Sequence, residues 1–205
     1  MSLVTEMTKA WTRARTVFAG FFEDRRGIAA VEFSVIVPVM LLMFFGTVEF
    51  SSALTVDRKV SLVARAIANL TSQGTQATIA DLSNYLIAGN KIMTPYAAPN
   101  MTISELYIDP TSGRARVEWS YGYAPRSPAS PYTIPPSLIA TNPTTGAIIP
   151  NQYVIVAEVN TVYSPTVGYV MKTGVTLSDV AYAIPRQSIC VFYPTTPTPA
   201  TCPTS

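Results

Sequence analysis

Ile28–Phe50 reads IAAVEFSVIVPVMLLMFFGTVEF, 23 residues in which Glu32 and Glu49 are the only ionisable groups. As a helix rising about 1.5 Å per residue the stretch reaches roughly 34 Å. That is enough to cross a hydrocarbon core of about 30 Å with some tilt. The preceding FFEDRRG sets Arg25 and Arg26 at the membrane edge, with Lys9, Arg13 and Arg15 further back. Basic residues gather on the cytoplasmic flank of a span, so residues 1–27 are expected in the cytoplasm and 51–205 outside. A secretory signal peptide fits poorly: the apolar run is too long, begins too late and lacks a clean small-x-small cleavage site.

Composition points the same way. The 205 residues are 48% hydrophobic and 13% charged, about half the charged share of an ordinary soluble domain. There is no histidine, so imidazole bases, His metal sites and Ser-His-Asp triads are excluded. The formal net charge of +2 is too small for a nucleic-acid footprint, and no basic cluster is interleaved with stacking aromatics. Two residues inside the span stand out. Pro38 lacks a backbone donor and crowds the carbonyl four residues back, so a kink or local unwinding is expected. Glu32 places a carboxylate in lipid, which costs on the order of a few kcal/mol and marks a functional site by default. Its bland reading is a carboxylate near the helix end reaching back to headgroups; both readings stand on the residues alone.

The run Arg25-Arg26-Gly27-Ile28-Ala29-Ala30-Val31-Glu32-Phe33 resembles the processing site of type IV pilin-like precursors, a charged leader ending in Gly followed by an apolar helix with Glu at its fifth residue. More narrowly, Gly27, Val31, Glu32, Phe33 and Pro38, followed by Gly46 and Glu49, are similar to the TadE-like family of minor pseudopilins from tight-adherence (Flp-type) pilus systems. Tyr163-Ser164-Pro165 looks like the aromatic-x-Pro stretch of their distal domain, a looser match. The resemblance implies a minor pseudopilin, an assembly subunit serving pilus biogenesis and surface adhesion. It implies cutting by a prepilin peptidase between Gly27 and Ile28, where glycine gives the protease an unobstructed backbone. Ile28 would then carry a free α-amine that Glu32, of the same or a neighbouring subunit, could pair with to offset desolvation. Glu32, Phe33 and Pro38 are thus the expected assembly residues, with Arg25 and Arg26 topogenic. The expected partners are the prepilin peptidase, other pseudopilins and the major pilin, the inner-membrane assembly platform and the lipid bilayer. The localisation implied is a single pass in a bacterial inner membrane, with the C-terminal domain periplasmic or, after assembly, in the extracellular pilus.

The leader holds five basic groups (Lys9, Arg13, Arg15, Arg25, Arg26) against three acidic ones (Glu6, Glu23, Asp24), so the whole basic excess lies in the segment expected to be removed. The competing reading keeps it as a plain topogenic tail, with WTRARTVFAGFF lying along the interface, and makes the protein an uncleaved, single-pass anchored periplasmic scaffold or binding protein of a pilus or secretion system.

Past the span the helix is expected to continue. Ala53, Val56, Val60, Val63, Ile67 and Leu70 recur at alternating spacings of 3 and 4, a stripe that covers either a globular core or neighbouring helices. Gly74 ends it. A second helix is expected over Ile79–Ala88, with Thr78 as its cap and Gly89 as its stop. Of the 17 prolines, 16 lie beyond residue 94, so strands and turns are expected there. Met101–Ile108 and Ala115–Tyr123 alternate around the turn Asp109–Gly113 and read as a hairpin. Ala124–Pro150 reads as an exposed proline-rich loop. Tyr153–Tyr163 and Val175–Ile184 supply two further strands.

The expected fold is α+β and pilin-like: a long N-terminal transmembrane helix, a short second helix and an antiparallel sheet of about four strands. The divisions are residues 1–27 (cytoplasmic basic leader), 28–50 (span), 51–90 (periplasmic helical segment), 91–189 (β-rich domain containing loop 124–150) and 190–205 (Cys/Pro/Thr-rich tail). Cys190 and Cys202 lack companions for a zinc site and suit a disulfide in an oxidising compartment; staying reduced or linking partners is the alternative. No metal, cofactor, small-molecule substrate or nucleic acid is expected. Glu105 and Asp109 read as lying near a hairpin end, with Glu118 and Glu158 at strand positions that face water. With no phosphate loop, zincin motif or nucleophile elbow, no catalytic residue is assigned and the protein is not expected to be an enzyme. Trp119, Tyr121 and Tyr123 alternate on one face, either as core or as an exposed adhesive patch.

Overall fold

The computed structural model describes residues 26–165, 168, 173–193 and 202. The leader through Arg25 and most of the C-terminal tail lie outside them. The chain divides into two compact units, Met1–Val48 and Glu49–Ser205, and the division falls inside one element, helix α1 (Arg26–Ser72). The helix is unbroken across Pro38, so the expected local unwinding is absent: only the bond from Pro38 to the Ser34 carbonyl is lost. Within the second unit follow helix α2 (Ile79–Met93) and strands β1 (Asn100–Ile108), β2 (Ala115–Gly122), β3 (Pro131–Tyr132), β4 (Gln152–Tyr163) and β5 (Val175–Ala183). They form one antiparallel sheet in the order β3-β2-β1-β4-β5. The α+β reading holds, with five strands instead of about four; the extra one is the two-residue β3 inside the proline-rich loop.

The stripe on the second half of α1 is core. Val56, Val60, Val63 and Ile67 are buried with Ile103, Trp119, Ile155, Ala157 and Val159 on one face of the sheet, and Ala53 packs against them. The sheet's other face is also covered. Leu106, Ile108, Val117, Val154 and Val156 bury together with Ile134, and Leu138 and Ile139 pack on them. Those three residues come from 124–150, so this segment is a cover over the sheet as much as an exposed loop. It is pinned by Arg126, whose guanidinium donates to both Glu158 carboxylate oxygens (2.7 and 3.1 Å) and lies over the Tyr132 ring.

Local chemistry sets the connections. Thr78 caps α2 in a reciprocal box with Asp81, satisfying orphan donors of the first turn; the Thr78 bonds also hold the Asp81 carboxyl below its usual range. Gly89 is not the stop of α2. It lies inside the helix where a Cβ would come within 2.6 Å of Met101 Sδ and 3.1 Å of Val63 Cγ1. The glycine serves close approach of α2 to α1 and β1, and the helix runs one turn further to Met93. In the β1–β2 turn, Asp109 accepts from Thr111 N (2.9 Å) and Ser112 Oγ (2.7 Å), and Gly113 takes φ 68°, the left-handed conformation that glycine adopts freely. A bulge on β2 shifts the register between Glu105↔Trp119 and Leu106↔Val117.

Candidate functional site

Gly27, Ile28, Glu32 and Phe33 lie within the first two turns of α1. Ile28 and Glu32, four apart, share one face, and Pro38 is about 9 Å further along the axis. Among the described residues, nothing lies within 4 Å of the position a Cβ on Gly27 would take. Ile28, Glu32 and Phe33 are all exposed, Phe33 at 69%. The most apolar window of the helix has mean hydropathy 2.4 and none of it is buried. Such a surface is stable only against lipid or protein. Arg26 begins the helix, and Arg25 lies outside the described residues. Glu49, the first residue of the second unit, is buried.

In the second unit the sequence reading placed Glu105 near a hairpin end. The structure corrects this: Glu105 sits in mid-β1 at 1% exposure. Its Oε2 accepts from Trp119 Nε1 at 2.8 Å, and its Oε1 accepts from the backbone N–H of Val191. Trp119 Nε1 also reaches the Val191 carbonyl at 2.8 Å, and its ring stacks on Tyr193. Phe192 then exchanges backbone bonds with Thr75 and Ala77 at the α1–α2 junction (3.0 and 2.9 Å). One carboxylate thus ties the C-terminal segment to the sheet beneath the helices. Burial pushes the Glu105 carboxyl up to about 8, against the opposing pull of the Val191 and Trp119 bonds. A signal was present in the sequence: Met101, Ile103 and Tyr107 are the inward residues of the same alternation, and Glu105 occupies the slot between them.

Cys190 and Cys202 are joined by a disulfide in this unit, with Cα atoms 5.7 Å apart, and Cys190 is buried with Tyr107 and Tyr153. Of the three alternating aromatics, Trp119 is core, Tyr121 packs against the core's edge and Tyr123 is exposed. Glu118 and Glu158 are half-buried instead of facing water freely. Among the described residues no group of three or more Cys, Asp or Glu side chains could hold a metal ion. The first unit offers an apolar helix carrying one carboxylate, Glu32, near its start.

Residues 27–69 match the family model described as TadE-like protein. The chain carries a TadE-like segment. The match confirms the resemblance read from Gly27, Glu32, Phe33 and Pro38, and it begins at Gly27 itself. The TadE-like segment lies wholly within α1 and takes in both its uncovered first half and most of the half packed on the sheet. No curated protein and no solved structure matches the chain. The TadE-like segment lies on a helix that is long and apolar enough to cross a membrane.

Proposed function

We propose that this protein is a minor pseudopilin, an assembly subunit of a tight-adherence pilus, held in the inner membrane by the first half of α1 and processed by a prepilin peptidase after Gly27. The observation that carries the reading is the TadE-like match opening at Gly27 on a helix whose apolar surface none of the described residues buries. The leader stays in the cytoplasm by its basic residues, and Arg25 and Arg26 hold the cut site at the membrane face. The Cys190–Cys202 disulfide suits an oxidising compartment for the second unit.

Cleavage leaves an α-amine on Ile28, one helical turn from Glu32 and on the same face. Each charge alone is costly in lipid; paired within a subunit or between two subunits, they offset that cost. Glu32 then sets the axial register of packed helices, as a buried polar residue does in a coiled coil. Phe33 and Pro38 shape the same contact. The peptidase, the major pilin, sibling pseudopilins and the assembly platform are the partners, and adhesion is the outcome for the cell. The Gly27–Ile28 bond lies in the first helical turn, so cutting requires that turn to open, an inexpensive event at a helix end.

Intact-mass measurement and N-terminal sequencing of protein from native membranes test the reading. A chain beginning at Ile28, and its loss on Gly27→Leu, are the expected results. Glu32→Gln is expected to be cut normally yet to be lost from sheared pili. An uncut chain in pilus-producing cells would leave the anchored-scaffold reading instead.

A further inference from the structure

Beyond the membrane helix, the second unit carries a groove of about 620 Å³ between α1 and the last strand, lined by Arg65, Asn69, Tyr182, Pro185 and Arg186 among others. A second recess of about 250 Å³ adjoins it, sharing Leu138, Ile184 and Pro185 and adding Ile189. Ile184 and Ile189 are 64% and 58% exposed at its rim.

Three features give the groove a preference. First, no carboxylate lines it, and neither Arg65 nor Arg186 has an ion-pair partner among the described residues. Both are held from the same helix: Arg65 is four residues before Asn69, and the backbone N–H of Arg186 donates to the Ser72 carbonyl at 3.0 Å. Second, the wall between the two arginines is neutral and largely apolar, made of Asn69, Leu138, Ala181, Ala183 and Pro185 among others. Third, β5 ends the sheet order and among the described residues pairs on one side only, with β4. Its outer edge is guarded at Val180, whose N–H is taken by the Asp179 carboxylate; Ala181–Ala183, the part that lines the groove, lies beyond that guard.

We propose that this groove binds an extended segment of a partner protein bearing a carboxylate side chain beside an aliphatic one. The carboxylate lies between the Arg65 and Arg186 guanidiniums, where forked donors suit it. The aliphatic neighbour covers Leu138, Pro185 and Ile189. The segment's backbone runs along Ala181–Ala183 by strand addition. An acidic lipid headgroup fits less well: Arg65 is roughly 22 Å along α1 from Phe50, where the apolar run ends, and the groove has apolar walls suited to side chains. The inference does not depend on whether the chain is cut after Gly27.

The test uses the full chain in nanodiscs of zwitterionic lipid. The probe is a fluorescein-labelled Val-Thr-Val-Glu-Val-Thr-Val peptide, beside the same peptide with Gln for Glu, read by anisotropy. The expected result is saturable binding of the Glu peptide, weakened about ten-fold in the Gln peptide and in the Arg65→Ala/Arg186→Ala variant, and weakened again by salt. Amide exchange should slow at Tyr182, the outward-facing N–H of this stretch, when the peptide binds. Both arginines are exposed, so the variant keeps its fold, checked by unchanged exchange in β1 and β4; Ile189→Asp gives an independent block. Equal affinity for the two peptides, insensitivity to these variants, or no saturation at millimolar peptide overturns the proposal. So does arginine-dependent binding of phosphatidylglycerol vesicles with no peptide binding, which would assign the groove to lipid.

Discussion

The two halves of helix α1 are one continuous element with opposite solutions to the same problem. From Gly27 to Val48 the apolar residues lie all round the helix and, among the described residues, none is buried. From Glu49 to Ser72 the buried ones, Val56, Val60, Val63 and Ile67, form a stripe at the core, while Phe50, Leu54 and Leu62 stay exposed. A helix that is apolar all round needs a surrounding apolar medium, whereas a striped one needs a single partner surface. The contrast teaches that the match to one family model spans two physical regimes, and that mutations in them should be read by different assays.

The sharpest break of the comparison is Ile67→Ala in the striped half. Deleting a fully buried side chain should cost about 2–5 kcal/mol in denaturant unfolding of the second unit, while Leu41→Ala, 48% exposed in the other half, should leave that unfolding unchanged. Leu41→Arg reverses the asymmetry: membrane insertion should weaken by about 2.5–3.5 kcal/mol, seen as extraction by carbonate, with the second unit's unfolding midpoint unmoved. If both substitutions moved both readouts, the two halves would not be separate regimes.

Glu105 sharpens the comparison from inside the covered unit. Its carboxyl is raised from 4.5 to about 8 in the folded protein, so the folded state binds the proton more tightly than the unfolded chain. The stabilisation from that difference is complete below pH 4.5 and is lost as pH rises to about 8, where it levels off. Thermal midpoints of the second unit should therefore carry a component that falls across this window. Glu105→Gln should remove that component and, by setting an amide donor against the Val191 N–H, lower the midpoint throughout. A pH profile identical in the two proteins would show that the latch does not titrate there. The smallest effect belongs to Thr78→Ala, which removes the capping box at a cost of about 1 kcal/mol, read as faster amide exchange in the first turn of α2.

Much of this fold was legible because its signals are local. The turn Asp109–Gly113 carries its own hydrogen-bond partners, the cap of α2 is written as Thr78 and Asp81, and the spacing from Val56 to Ile67 admits one buried face. The readings that failed each needed a distant residue. Gly89 looks like a helix stop until Met101 and Val63 are seen against it. Glu105 looks like an acid near a hairpin end until Val191 and Trp119 close over it. The loop 124–150 reads as exposed until Ile134 is found on the back of the sheet.

The chain's own order of residues determined the apolar span, the TadE-like start at Gly27, the helix-then-strand succession and the hairpin, since each rests on neighbours within a few positions whose geometry is set by propensity and periodicity. The tertiary structure alone decided that both sheet faces are covered, that Glu105 clamps the C-terminal segment at Val191, and that Arg186 is tied by its backbone to Ser72 at the end of the helix carrying Arg65. Those pairings join residues tens of positions apart, and their energy comes from desolvation and from hydrogen bonds that exist only once the chain has closed on itself.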